Sequence, residues 1–342
     1  MLWPQERDFI ARAEADLFAA IAELDARLNN GEDLERARAD ARGLVGLLGK
    51  GGTSLLPSLL PIADALDQAE VAHELLARLS GEGLTAQCAV ALAAVVERYG
   101  DAWTRRIVEC WFPVRGYHHG RWGWVNGTLP DLAAALRQVG ADRVVVQLCR
   151  QSWASQSVEI SAGLVPGPQA RAARMAPLVA PSAALFKAAD AALVEEFAAA
   201  LAARGDGVLD LELPLLRSLG ADVPSSLVAD AVRRLGGLLA LPPRPADDWS
   251  IAWSGCGCDL CGILQDFLVD RRVTELDWRL RTDRRQHIHQ RIDAAELPVT
   301  HRTIRKGSPY TLRLAKQRDL HAREAEQRRQ LVADLAWLRR KS

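Results

Sequence analysis

Half of the chain's six cysteines fall within six consecutive positions: Cys256, Cys258 and Cys261, in the run Trp253-Ser-Gly-Cys-Gly-Cys-Asp-Leu-Cys261. Thiolates are soft ligands that suit zinc or iron–sulfur clusters, and zinc normally takes four ligands in a tetrahedron. The Cys258-x-x-Cys261 spacing lets two thiolates embrace one ion, and Cys256 can swing in across Gly257 as a third. A fourth ligand must come from further away, because no cysteine follows Cys261. His287, His289 and His301 are the candidates. His287 is the first choice and His289 the runner-up, since only one of two side chains two positions apart on a helix faces inward. Zinc is the expected ion, ahead of an iron–sulfur cluster on the same three cysteines and a histidine. The SWIM-type zinc pattern also begins C-x-C, but its later C-x-H is missing here. Cys88, Cys110 and Cys149 lie in apolar stretches and read as buried small hydrophobes with no ligand role.

Other chemistry is sparse. The run 113–127 gathers Tyr117, His118, His119, Arg121, Trp122 and Trp124. Aromatics, arginine and two histidines could make a stacking site for a small molecule. The plainer reading has the tryptophans anchoring a loop to the helices, because adjacent histidines rarely chelate one metal without a third ligand. Gly49-Lys50-Gly51-Gly52-Thr53-Ser54 invites a phosphate-loop reading, but the position five before Gly49 is Leu44 and Lys50 is followed by glycine. It reads as a helix-to-helix connection. No Ser/His/Asp order, dinucleotide-binding glycine turn or paired catalytic carboxylates can be identified. Were the metal to keep an open position for water, Asp259 or Glu275 could serve as base, though nothing selects them.

The elements that must position the cysteines are mostly helical. Alanine, leucine and arginine dominate, and all rank high in helix propensity. Apolar residues from Phe9 to Leu28 recur at three- and four-residue steps, and Asn29-Asn30-Gly31 ends that helix. A second helix spans about 33–48, and 55–112 reads as short helices broken by Gly and Pro. Thr128-Leu-Pro-Asp131 has the form of a capping pattern for the next helix. A further segment follows Asp142, and residues 155–177 read as irregular. A long helix is expected from Pro181 through Leu201, then segments at about 208–219 and 225–239. Strand signals are nearly absent before residue 290. The expected fold is mainly α: an irregular helical-repeat body of the HEAT or armadillo kind, or a helical bundle, with a small C-terminal α+β metal-binding module. The expected division is a helical body over 1–240, a Pro-rich linker over 241–250 and a basic Cys/His module over 251–342. Within that module the spacing predicts an apolar helix over 262–269 and a basic helix over 283–295 carrying Ile288 and Ile292. A β-hairpin about Gly307-Ser308-Pro309 and a charged helix over 317–340 follow.

Formal charge is balanced overall but not along the chain. Residues 1–270 carry 24 Lys+Arg against 34 Asp+Glu, and residues 271–342 carry 19 against 9, a net of +10. Such asymmetry marks either a surface for nucleic acid or another acidic partner, or two halves that dock on each other. Arg271, Arg272, Arg281, Arg284, Arg285 and Arg291 are the leading nucleic-acid contacts, joined by Arg279, Arg302, Arg305 and Lys306. Trp249, Trp253 and Tyr310 could stack on bases. Neither a signal peptide nor an apolar membrane span is legible, so a soluble cytoplasmic protein without a membrane partner is expected.

The stretch C-x-C-x-x-C with Leu264 and Phe267-Leu268, then Arg284-Arg285-Gln-His287-Ile-His289, then Lys306-Gly-Ser-Pro-Tyr-Thr-Leu-x-Leu-x-Lys316, resembles a C-terminal region of uncharacterised bacterial and fungal proteins. Some of those carry a 2-oxoglutarate/iron(II) oxygenase domain of the prolyl-hydroxylase kind beside it. The resemblance spans residues 249–317. It implies a cysteine/histidine module with a histidine at the position of His287. It does not imply oxygenase chemistry here, since that needs an H-x-D/E pair, and no histidine of this chain is followed two residues on by an acid. Taken together, the sequence favours an interaction or scaffold protein with a zinc-stapled basic module. A nucleic-acid-binding protein is the first alternative, and a metal-dependent enzyme the second.

Overall fold

The computed structural model describes residues 4–31, 33–47, 55–114, 121–165, 167–220 and 223–341. The chain is mainly helical, with one small antiparallel sheet near its C-terminus. Its first part runs α1 (Pro4–Asn29), α2 (Leu34–Leu47), α3 (Leu56–Ala65), α4 (Ala69–Leu76), α5 (Ala89–Trp111), α6 (Arg121–Gly127), α7 (Leu129–Gln138) and α8 (Asp142–Gly163). Next come α9 (Pro168–Met175), α10 (Val179–Ala188), α11 (Ala191–Ala202), α12 (Leu209–Leu219) and α13 (Ser225–Ala240). The C-terminal elements are α14 (Asp259–Val269), β1 (Glu275–Arg279), α15 (Thr282–Ala294), β2 (Val299–Ile304), β3 (Thr311–Lys316) and α16 (Leu320–Arg339).

Two compact units share these elements. The first comprises Met1–Ser161 with Leu178–Ala198. The indole N–H of Trp103 donates to the Ala69 carbonyl, that of Trp111 to Leu76 and that of Trp124 to Leu84, at 2.8–2.9 Å. The Tyr99 hydroxyl donates to the Ala63 carbonyl at 2.7 Å. These bonds tie α5 and α6 to carbonyls of α3, α4 and the loop after α4, while the rings fill the core. Trp153 stacks on Phe197 with centroids 4.7 Å apart.

The second unit comprises Ala162–Pro177 with Ala199–Ser342. Here α12 packs on α9 and α13, and α13 packs on α16. The Pro-rich stretch 241–250 lies inside this unit and is held by charge. Arg244 donates to Glu324 through Nε at 2.6 Å and Nη2 at 2.5 Å, and Arg328 donates to the carbonyls of Leu239 and Leu241.

The sheet has the order β1-β3-β2, all antiparallel. Register pairs Leu276 with Leu314 and His301 with Leu314, and sets Trp278 and Thr303 beside Leu312. Alternation therefore puts Leu276, Trp278, Val299, His301, Leu312 and Leu314 on one face. Against it lie α14 and α15, closing a core of Ile251, Leu264, Phe267, Leu268, Ile288, Ile292, Leu312 and Leu314 with Leu280, Leu297, Val299 and Leu320. Lys316 ends this face. It is only 4% exposed, and its Nζ donates to the carbonyls of Leu268 at 3.1 Å and Asp270 at 2.6 Å, closing the C-terminal end of α14.

Several expectations need correction. The long helix from Pro181 to Leu201 is two helices, because the Asp190 carboxylate accepts the Leu193 N–H at 2.8 Å and starts α11 afresh. Residues 155–177, expected to be irregular, lie largely in α8 and α9. A strand forms well before residue 290, as β1. Cys88 and Cys149 are buried as expected, but Cys110 is exposed, with its Sγ 3.9 Å from His73 Nε2. The segment at Gly49–Ser54, and Tyr117, His118 and His119, lie outside the described residues. Arg121 and Trp124 of that second group are buried. Arg121 donates to the Pro113 carbonyl at 2.8 Å and to Ser155 Oγ at 2.6 Å, so it serves packing.

Candidate metal centre

Cys256, Cys258, Cys261 and His287 come together: their ligand atoms all lie within 4.8 Å of one another, close enough to hold one metal ion. His287 Nε2 stands 3.4 Å from the sulfurs of Cys258 and Cys261 and 3.9 Å from that of Cys256. The Cys256 sulfur lies 3.4 Å from Cys258 and 3.5 Å from Cys261.

Local backbone explains the convergence. Cys258 is the residue before α14, in extended conformation, and its carbonyl accepts the Gly262 N–H at 3.0 Å. Cys261 therefore sits in the first helical turn, where unpaired N–H groups and the helix dipole favour a thiolate. Gly257 turns the chain between Cys256 and Cys258 with φ of 83°, a region L-residues avoid. Gly255 is required by close approach. A Cβ there would stand 2.4 Å from Cys261 Cβ and 2.9 Å from both its sulfur and Trp253 Cη2. The histidine arrives on α15, which packs on α14 through the shared core, Ile288 and Ile292 facing inward.

The thiols are not equivalent. Hydrogen bonding with the Cys258 N–H and with the Cys258 and Cys261 sulfurs brings Cys256 down to about 6, and Arg291 adds in the same direction. Burial pushes Cys261 up to about 11. Cys256 and Cys258 are exposed and Cys261 is buried, so the cluster sits at the surface with one ligand rooted in the core.

The other two histidine candidates are not part of the cluster. They face each other, with His289 Nδ1 against His301 Nδ1 and ring centroids 4.7 Å apart. His301 Nε2 lies 3.0 Å from Asp293 Oδ1, and Thr303 Oγ1 lies 3.5 Å from His289 Nε2. Burial and the neighbouring imidazole lower the His289 pKa. Asp259 stands exposed in the first turn of α14, where it complements the helix dipole, and Glu275 is exposed on the outer face of β1.

Among the expected nucleic-acid contacts, Arg285 is withdrawn. It is 7% exposed, donates to the Leu280 carbonyl and to Thr282 Oγ1 at 3.2 Å, and its guanidinium lies 5.2 Å from the Tyr310 ring centroid. Arg271 is exposed and lies 3.7 Å from Asp248. Arg272, Arg281, Arg284 and Arg291 are exposed, with no side-chain hydrogen bond or ion pair among the described residues. Trp249 is turned edge-on to His321, and Trp253 packs against the module's core. What the sequence did not single out is Lys316 as the cap of α14. Its place as the only cation in an otherwise apolar inward row, Leu312-x-Leu314-x-Lys316, was the available signal.

Among the described residues no helix is long and apolar enough to cross a membrane. Comparison of the chain with known protein families, with curated proteins and with solved structures finds no match.

Proposed function

We propose that the chain is a non-catalytic interaction protein whose C-terminal module is closed around a structural zinc ion. The observation that carries this is the Cys256/Cys258/Cys261/His287 quartet. Zinc bonds of about 2.3 Å to sulfur and about 2.0 Å to nitrogen set tetrahedron edges of about 3.8 Å between sulfurs and about 3.6 Å from sulfur to nitrogen. Five of the six separations run from 3.4 to 3.9 Å, and all six lie within 4.8 Å. Four protein ligands complete a zinc shell and leave no position for a reacting water, the pattern of a folding site. The loop needs such a staple, because residues 252–257 make no backbone–backbone hydrogen bond among the described residues. An iron–sulfur cluster on the same ligands is the competing occupant.

The test is metal content of the purified chain, unsubstituted and as Cys258→Ala and His287→Ala. One zinc per chain is expected, falling below about a tenth in either variant, with loss of protease resistance over residues 249–317. Stoichiometric metal retained by both variants, or neither zinc nor iron in the unsubstituted chain, refutes the reading. A variant that loses metal yet stays folded points instead to an open catalytic site.

A second reading has its own support: the module binds nucleic acid. Arg272, Arg281, Arg284, Arg291, Arg302 and Arg305 are exposed, with no side-chain hydrogen bond or ion pair among the described residues. Binding of an oligonucleotide that falls steeply with rising salt is expected, and no binding at low salt ends this reading.

A further inference from the structure

Beside the metal centre lies a cleft of about 430 Å³. Trp253, Ser254 and Cys256 form one wall, and Arg291, Ala295 and Leu297 the other. That volume lies in the range of sites for single small molecules or for one unit of a polymer. Three properties of the lining occur together. Trp253 is half-buried and fixed by packing against the module's core, yet it lines the cleft. Arg291 is exposed and makes no side-chain hydrogen bond or ion pair among the described residues. Over 252–257 the cysteine loop makes no backbone–backbone hydrogen bond among the described residues, and apart from the Cys256 N–H, which meets the Cys261 sulfur, its backbone groups are open to a ligand.

These properties select among ligand classes. An apolar molecule would leave the guanidinium unpaired, and a simple anion would leave the indole unused. An acidic peptide would use the guanidinium and the free amides but has no planar group for the indole. A nucleotide uses all three: an aromatic face takes the base, a guanidinium fork takes the phosphate, and open amides meet base edges. The surroundings agree. Residues 271–342 carry a net charge of +10. Arg284, His287 and Arg291 recur at three- and four-residue steps along α15, so they share a side of that helix. Arg284 is seven residues, about 10 Å of helix axis, from Arg291. The exposed thiols of Cys256 and Cys258 therefore have a free cation along the helix on either side of their histidine partner.

We infer that this cleft seats one nucleotide of a single-stranded nucleic acid, its base on Trp253 and its phosphate on Arg291, with the strand continuing toward Arg284. The inference rests on the nucleic-acid reading above and adds to it a place and a preference for single strands.

The experiment measures binding of an end-labelled uridine oligomer, and of its duplex, to the full chain by fluorescence anisotropy, with zinc content determined in parallel. Arg291→Gln and Trp253→Leu are each expected to weaken oligomer binding about tenfold without changing metal content. Arg302→Gln, on the outer face of the sheet, should change it less than about threefold, and the duplex should bind more weakly than the single strand. Ultraviolet crosslinking of a 5-iodouracil oligomer to the unsubstituted chain should place an adduct on Trp253. Equal effects of all three substitutions, or an adduct elsewhere, overturn the cleft while leaving the nucleic-acid reading standing. No binding of either oligonucleotide at low salt overturns both. Polyglutamate that binds in competition, sensitive to Arg291→Gln but not to Trp253→Leu, reassigns the cleft to acidic peptides. Should Trp253→Leu lose its metal, the crosslink position alone decides.

Discussion

Replacing Glu212 by glutamine should stabilise the protein at alkaline pH and remove a slope from its stability profile. Glu212 lies on α12 and is fully buried, and neither carboxylate oxygen has a hydrogen-bond partner among the described residues. The nearby cation is engaged elsewhere. Arg234 donates to Asp230 at 2.5 Å, to Asp206 at 3.4 Å and to the Ala202 carbonyl. Burial, reinforced by the Asp230 charge, pushes the Glu212 carboxyl up from 4.5 to about 7. The difference between 4.5 and about 7 corresponds to roughly 3 kcal/mol, at about 1.4 kcal/mol for each tenfold change in proton affinity. The sign follows from linkage. The folded state holds this proton more tightly than the unfolded state, so the contribution is fully present below about pH 4.5. It is lost as pH rises through about 7. Glutamine mimics the protonated acid and does not titrate. Urea denaturation of both proteins between about pH 5 and pH 8.5 should show profiles that nearly meet at the acid end. They should diverge by roughly 3 kcal/mol at the alkaline end, with the variant the more stable. Parallel profiles would refute the assignment of a raised pKa to this group.

Three further outcomes test the architecture around the candidate metal centre. Gly255→Ala should push Cys261 out of place and weaken metal binding by about 10- to 100-fold in competition with a chromogenic chelator. Gly257→Ala has open space and should cost only about 1 kcal/mol of backbone strain, so equal losses would contradict the steric argument. Glu296 accepts the N–H groups of Gln169 and Ala170 at 2.6 and 2.8 Å, capping α9. Glu296→Ala should therefore cost about 1 kcal/mol and speed hydrogen exchange at those two amides, and unchanged exchange would remove the cap. Lys316→Met keeps the side chain's bulk but leaves the Leu268 and Asp270 carbonyls without their donor. It should lower stability by about 2 kcal/mol in urea, and a neutral result would mean that water replaces the ammonium.

Which features were legible follows from how far apart in sequence their causes lie. The convergence of the three cysteines could be read because C-x-x-C spacing and one intervening glycine are local, and the approach of His287 because helical periodicity separates it from His289. Most helices were legible for the same reason. The break at Ala189–Asp190 was not, because it depends on one carboxylate choosing the Leu193 N–H inside an alanine-rich run. Strand β1 was missed because Glu275-Leu-Asp-Trp-Arg279 has only two inward residues, and its identity comes from pairing with β3 some 36 residues later. Cys110 was misplaced by its apolar neighbours. Trp103, Thr104, Ile107, Val108 and Trp111 define the buried stripe of α5, and Cys110 lies about a quarter-turn from its centre.

Helix α15 carries that lesson into function, because net charge in a sequence is not charge on a surface. Arg285, Ile288 and Ile292 recur at three- and four-residue steps and are all buried, so a helical wheel alone places this arginine in the core. The same wheel sets Arg284, His287 and Arg291 on an adjoining side, two of them exposed and the third at the metal cluster. One helix thus divides its cations by phase. One closes the module from within, through the Leu280 carbonyl and the Tyr310 ring. The others stay free beside exposed thiols. The proposed staple through His287 would fix that phase: were the helix to rotate by one residue, about 100°, the histidine would leave the cluster and the free arginines would turn with it. On the proposed reading, holding an ion and presenting the cations are one structural requirement, and loss of metal should abolish polyanion binding even when every arginine is intact.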